Sequence, residues 1–163
     1  STWAYFQSRY FNEAYKPAQT VASHDQELLR QRGGRYPCDD FELFLEWNPQ
    51  NDSGEGWTGP YRFIIAVTPK VAGVTDLKVT QLAFDSSLDT DYAFDQPVPF
   101  LLNPSSGGRF GVASDTLFDL QFDAKEEITT TITIEYRVDG KVKTQTLRER
   151  WVPVRVEMYA SIV

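Results

Sequence analysis

From Phe41 onward, apolar and polar positions alternate. Phe41, Leu43, Leu45 and Trp47 fall on one face of an extended segment, with Glu42, Phe44 and Glu46 on the other, which is the period of a half-buried strand. Residues 61–68 form a largely apolar run, broken from Pro69 to Gly73. Residues 77–84 alternate again: Leu77, Val79, Gln81 and Ala83 oppose Lys78, Thr80, Leu82 and Phe84. Residues 92–102 read as extended, but Pro97 and Pro99 cannot donate to a ladder, so this segment is expected at an edge or a bulge. Residues 110–113 and 116–122 follow, the second with Leu117 and Asp119 opposite Phe118, Leu120 and Phe122.

The strongest local pattern is a hairpin over residues 128–150. Ile128, Thr130, Ile132, Ile134 and Tyr136 face one way, and Thr129, Thr131, Thr133, Glu135 and Arg137 the other. A three-residue loop with Gly140 left-handed is expected, because it pairs Tyr136 with Val142 and Glu135 with Lys143 instead of setting polar against apolar. Pro153 is expected to interrupt the last strand before Val154, Val156 and Met158 resume the alternation. With Arg148, Arg150 and Arg155 nearby, this region has the marks of a protected edge.

Ahead of the strands the pattern differs. Trp3, Phe6, Tyr10 and Ala14 lie near helical spacing within an aromatic segment that also holds Tyr5, Phe11 and Tyr15, so a turn or two of amphipathic helix is expected there. A clearer helix is expected over 23–34. Ser23 and Gln26 make a capping box, Asp25 and Glu27 occupy the first turn, Arg30 and Arg32 the last, and Gly33–Gly34 the stop. Turn signals about every ten residues without interleaved helices imply an antiparallel β-sandwich of about eight strands, immunoglobulin-like or jelly-roll-like, with one short N-terminal helix. Residues 1–40 are expected to pack as an arm on a sandwich domain over 41–163, the whole being a single domain.

Charge narrows the functions. The chain of 163 residues carries a formal charge of -7, which argues against a general nucleic-acid partner. Seven aspartates against Arg109 lie between Asp85 and Asp123, whereas residues 137–157 hold six basic side chains against three acidic ones. Such an uneven distribution suits weak head-to-tail self-association or a charged partner. No apolar run reaches the roughly 18 residues of a membrane span. The single Cys38 excludes an intrachain disulfide. A start at Ser1 fits either a clipped initiator methionine or a removed export signal. A periplasmic or cell-surface setting, of the bacterial envelope kind, is expected ahead of the cytoplasm.

Candidate chemistry is sparse, and no catalytic residue, cofactor or metal is assigned. His24, the only histidine, opens a solvated helix, and Cys38 has no evident base. Glu42 and Glu46 on one strand face lie roughly 13 Å apart at about 3.3 Å per residue, beyond the spacing of about 5–9.5 Å that glycosidases use. Asp85, Asp89 and Asp91 are a weak calcium alternative without EF-hand spacing. The segment 48–60 reads as a long loop in which Trp57 stands among glycines; with Asn51, Asp52 and Glu55 it resembles a stacking platform with hydrogen-bonding neighbours, and the competing expectation is a Trp57 folded back as a lid. The expected function is a non-enzymatic binding module for a protein partner. A carbohydrate-binding module using Trp57 and a capsid or filament subunit are the alternatives.

Overall fold

The computed structural model describes residues 6–162, with side chains from 9 to 159. Trp3 and Tyr5 lie outside them. The elements run β1 (Phe6–Pro17), α1 (Ala18–Ser23), α2 (Gln26–Arg30), β2 (Gly34–Pro37), β3 (Phe41–Ser53), β4 (Gly56–Pro69), β5 (Val74–Ser86), β6 (Asp91–Tyr92), β7 (Phe100–Leu101), β8 (Asn103–Pro104), β9 (Phe110–Ala113), β10 (Ile128–Val138) and β11 (Lys141–Ile162). They form a β-sandwich of two antiparallel sheets. One is ordered β1-β11-β10-β5-β6, with β7 also on β5; the other is ordered β2-β3-β4-β9-β8. Among the described residues no helix is long and apolar enough to cross a membrane.

The alternation of β3 survives intact: Phe41, Leu43, Leu45 and Trp47 are all buried. Trp47 meets Phe63, Phe84 and Phe118 at ring-centroid distances of 4.7, 5.2 and 5.2 Å, which ties β3, β4 and β5 to the 118 segment at the centre of the sandwich. In β5 the inward phase changes. Val79 is buried but Gln81 is exposed, and Phe84 takes the next core position. The register against β10 slips at this point: Thr133 lies opposite Gln81 and Ile134 opposite Val79, so the extra residue turns the following side chains to the other face. Residues 116–122 keep their expected sides, with Phe118 and Leu120 buried and Leu117 exposed, but they make only an isolated bridge from Phe118 to Tyr61 and not a strand.

The N-terminal expectations change most. Residues 6–17 are strand β1, paired along β11, and not helix. Both faces of the C-terminal part of β1, Ala14–Lys16, are covered. Tyr15 packs edge-on against Tyr61 and Phe122 in the core, while Ala14 meets Leu29 and Val156 beneath the helices. Two-sided cover removes the polar alternation that marks a strand in a sequence. The expected single helix is two short ones, broken at His24, which is left-handed at φ 56°. Ser23 closes the first helix by donating to the Thr20 carbonyl, and Asp25 caps the second by accepting from the Glu27 and Leu28 amides.

The 128–150 hairpin is present with a different turn. Val138 pairs with Lys141 across a two-residue loop, and Asp139 and Gly140 both have positive φ, 51° and 77°. This is the type I′ geometry that Asp-Gly favours. Arg137 therefore faces Val142, which stays 53% exposed, and Tyr136 faces Lys143. The Tyr136–Lys143 pair is stabilised from the opposite sheet. Asp40, just before β3, accepts from the Tyr136 hydroxyl at 2.7 Å and from Lys143 Nζ at 3.1 Å.

β11 runs through Pro153 without a break. Its first half pairs with β10 up to Trp151–Ile128 and its second half with β1 from Trp151–Pro17, so the partners lie on opposite sides. By strand alternation from the turn, odd-numbered residues of β11 direct their backbone toward the β10 side. Pro153 falls on that side just beyond the end of β10, where its missing amide breaks no ladder bond. By the same alternation Val142, Thr144, Thr146, Arg148 and Arg150 direct their amides to a side that β1 does not reach. The Arg150 amide instead bonds the Glu149 side chain at 3.1 Å. The expected edge is therefore present over the first half of β11 alone.

The Tyr136 and Lys143 hydrogen bonds hold the Asp40 carboxyl below its ordinary value of 3.8. A lowered folded-state value means that its stabilising contribution is complete above the unfolded value and is lost as pH falls through the folded one. Asp40→Asn is thus expected to lower the melting temperature at neutral pH, and the gap to the parent chain should close as pH drops below about 4. Melts from pH 7 to pH 2 that keep a constant gap would count against the inter-sheet role.

Candidate functional site

Residues 48–60 are not a loop. β3 continues to Ser53 and β4 starts at Gly56, so the segment is the far end of a long hairpin with its turn at residues 54–55. Asp52 pairs with Trp57 and Asn51 with Thr58. This hairpin end docks on the outer edge of β1. Gly56, at φ 127°, comes so close to β1 that a Cβ there would lie 2.0 Å from the Phe11 carbonyl oxygen, so only glycine fits. The Trp57 amide donates to Asn12 Oδ1 at 2.9 Å.

Docking leaves a groove of about 490 Å³ between the β1–β11 ribbon, α2 with the turn after it, and the outer side of β3. Tyr10, Leu29, Met158 and Trp57 supply its apolar lining, and Lys16, Arg30, Arg32, Glu46 and Asn48 much of its polar lining. Trp57 stands at the mouth, 40% exposed. It is therefore neither the isolated platform of a flexible loop nor a buried lid. Of the four residues expected to bind ligand, only Trp57 lines the groove. The Asn51 amide donates to the Gly59 carbonyl at 2.7 Å, Asp52 is Trp57's exposed cross-strand neighbour, and Glu55 sits in the turn, its amide on Ser53 Oγ. Hydrogen bonds within the hairpin hold Asn51 and Glu55 to it, and Asp52 shares Trp57's face of the hairpin but does not line the groove.

The buried end of the groove carries charge. Glu46 is 4% exposed, and its carboxylate receives Arg32 Nε at 2.8 Å and Nη2 at 2.7 Å, together with the Asn48 amide. The carboxylate in turn raises the Arg32 pKa through these hydrogen bonds. Lys16, 8% exposed, donates to the Gln31 carbonyl. Burial pushes its ammonium below the ordinary lysine value, and the nearby Glu46 opposes that shift. Arg30 donates to the Glu157 carbonyl at 3.1 Å and lies over the Tyr159 ring. These residues had another reading in the sequence: Arg30 and Arg32 satisfied a helix end, and Lys16 sat in the aromatic arm. Their convergence comes from the pairing of β1 with β11, which local pattern does not encode.

The remaining candidates are dispersed. Glu42 pairs with Arg35 and Glu46 with Arg32, so the two carboxylates serve separate ion pairs. Burial raises the Cys38 thiol, away from the thiolate a nucleophile needs, with Lys70 opposing. Asp85 and Asp91 face each other across β5 and β6 while Asp89 is in the turn between, and among the described residues no group of three or more acids, histidines or cysteines is placed to hold a metal ion. A further enclosed acid, Glu126, accepts from Ser86, Tyr92 and the Gln121 amide and fastens the 121–126 segment to β5 and β6. No family model, curated protein or solved structure matches this chain.

Removing Arg32 leaves an enclosed carboxylate with one fewer charged partner. Arg32→Ala is expected to destabilise the chain by about 1–3 kcal/mol in chemical denaturation. Arg32→Lys should recover only part of this, because an ammonium cannot make the paired guanidinium contact. Full recovery by lysine would show that the geometry of the pair is unimportant.

Proposed function

We propose that the chain is a non-enzymatic binding module that seats a carbohydrate in the groove between the β1–β11 ribbon and the β3–β4 hairpin. The observation that carries this reading is Trp57, a large indole 40% exposed at the mouth of a concave site of about 490 Å³. Small-molecule sites commonly span about 300–1,000 Å³, with apolar walls and a few fixed polar groups. The apolar face of a sugar ring covers an indole well, and fixed polar groups at the other end bond its hydroxyls. Asn48, Arg32 and Glu46 are held in place by one another, so binding orders few side chains.

The unpartnered side of β11 favours a second reading, in which the first half of β11 takes an extended segment of a protein partner as an added strand. Free main-chain groups recurring every second residue match the backbone of a strand and no small ligand.

Titration of the intact chain with a panel of neutral and acidic oligosaccharides, followed by tryptophan fluorescence and amide NMR, tests the first reading. Trp57→Ala is expected to weaken binding by about tenfold, since stacking contributes on the order of 1–2 kcal/mol, with little change in the thermal midpoint. The enclosed Trp47→Ala, by contrast, should lose about 3–5 kcal/mol of stability. If no member of the panel binds in a Trp57-dependent way, the carbohydrate reading fails. For the second reading, a strand-forming peptide should protect the Val142, Thr144, Thr146 and Arg148 amides from exchange, and its N-methylated counterpart should not. Equal behaviour of the two peptides removes that reading.

A further inference from the structure

The charges lining the groove do not balance locally. Glu46 is taken up by Arg32, with two nitrogens within 2.8 Å. Glu13 has Arg155 Nη2 at 3.7 Å, which also lies 3.7 Å from Asp123. Each groove acid therefore has a guanidinium within ion-pair distance, Glu46 that of Arg32 and Glu13 that of Arg155, which Asp123 shares. Lys16 and Arg30 do not have the converse. Both line the groove, both donate to main-chain carbonyls, and among the described residues neither has a carboxylate within ion-pair distance. Lys16 is more than nine-tenths buried, yet one neutral carbonyl satisfies one of its three donors. A cation held this way in a chain of net charge -7 is expensive to bury unless an anion completes its surroundings.

The groove also offers rings. Tyr10 and Trp57 line it with Leu29 and Met158. A ligand that fits both features is compact, has a face to lay on an aromatic side chain, and carries an acid. From two cations with no carboxylate within ion-pair distance among the described residues, beside an aromatic mouth, we propose that the groove selects an acidic sugar, a ring bearing a carboxylate such as a uronic acid residue, with the carboxylate directed to Lys16 and Arg30. The inference rests on the carbohydrate reading above and adds the charge of the ligand. A charge-assisted contact in a partly dehydrated site is stronger than a neutral hydrogen bond, so the acid and not the hydroxyls sets the preference. Arg30, exposed at the rim, captures the anion, while Lys16 at the enclosed end fixes its position.

The probes are digalacturonate, the neutral digalactose of the same linkage, and benzoate, each titrated into the intact chain. Digalacturonate is expected to bind at least about tenfold more tightly than digalactose. Raising salt from about 20 to about 200 mM should weaken the acidic sugar and leave the neutral one little changed. Arg30→Gln, at an exposed position, and Lys16→Met, which keeps the length of the side chain, are each expected to reduce the preference, and amide shifts should map to β1 and α2. Equal, Trp57-dependent affinity for the two disaccharides would overturn the acid preference and leave the carbohydrate reading standing. Absence of binding by either disaccharide would overturn both. Benzoate binding as tightly as digalacturonate would overturn the sugar assignment and keep the anion. If Lys16→Met fails to fold, Arg30→Gln alone decides: an unchanged preference and salt response in that variant overturn the proposal.

Discussion

The arrangement of this molecule depends on β11 changing partners at Trp151. That residue is fully buried, pairs with Ile128 on one side and Pro17 on the other, and among the described residues is the only position of β11 where both neighbours are present. Before it, β11 belongs to the hairpin with β10; after it, to the ribbon with β1. A strand of 22 residues is too long for one sandwich sheet to cover, so its second half carries β1 out to meet the β3–β4 hairpin. The groove exists because that ribbon and hairpin meet at Gly56, where no side chain intervenes. The two prolines at the crossover, Pro17 and Pro153, have their missing amides on sides where the ladder makes no demand.

Local alternation made much of the sandwich legible. β3, β4 and β10 bury one face, and their inward apolar residues are those that period two selects, whereas the first half of β11 leaves Val142 exposed. Two kinds of information were not local. The first is register. The pattern alone points to the wrong β10–β11 turn, because a Tyr136–Lys143 pairing looks unfavourable until Asp40 from the other sheet is placed beside it. The phase of β5 was lost for a related reason, since a bulge leaves no mark in composition. The second is two-sided cover. The C-terminal part of β1 lies between the core and the helices, so Ala14, Tyr15 and Lys16 are buried in succession without alternating, and aromatic spacing suggests a helix instead.

The same limits explain how much of the site was visible. Trp57 stood out because a large aromatic among turn formers has no local reason to be there. Its neighbours in sequence were assumed to be its neighbours in function. In a loop that assumption is reasonable; in a two-stranded hairpin, successive residues face opposite ways, and the polar groups near Trp57 in the groove come from β1, β3 and the end of α2. Lys16 and Glu46 are about thirty residues apart, and only the pairing of β1 with β11 brings them to one cavity.

Under the proposed reading, that construction would couple ligand binding to stability. The outer part of the groove wall formed by β1 is joined to the end of the β3–β4 hairpin by the Trp57–Asn12 hydrogen bond and the close approach at Gly56, whereas Tyr15 further along anchors β1 on Tyr61 in the core. Its other wall, α2, is a five-residue helix held by Leu29, the Arg30–Glu157 contact and the Lys16–Gln31 bond. Short helices and peripheral ribbons open locally at lower free energy than a core of interlocked aromatic rings. A ligand that touches both walls binds only the closed arrangement, and it stabilises that arrangement by an amount that grows with its concentration over its dissociation constant. The sandwich core, organised around Trp47, then serves as the fixed frame, and Trp47 also forms part of the groove's inner wall. The ribbon and α2 are the parts whose order a ligand would increase, and the enclosed cation at Lys16, held by a single carbonyl, marks where that gain is largest.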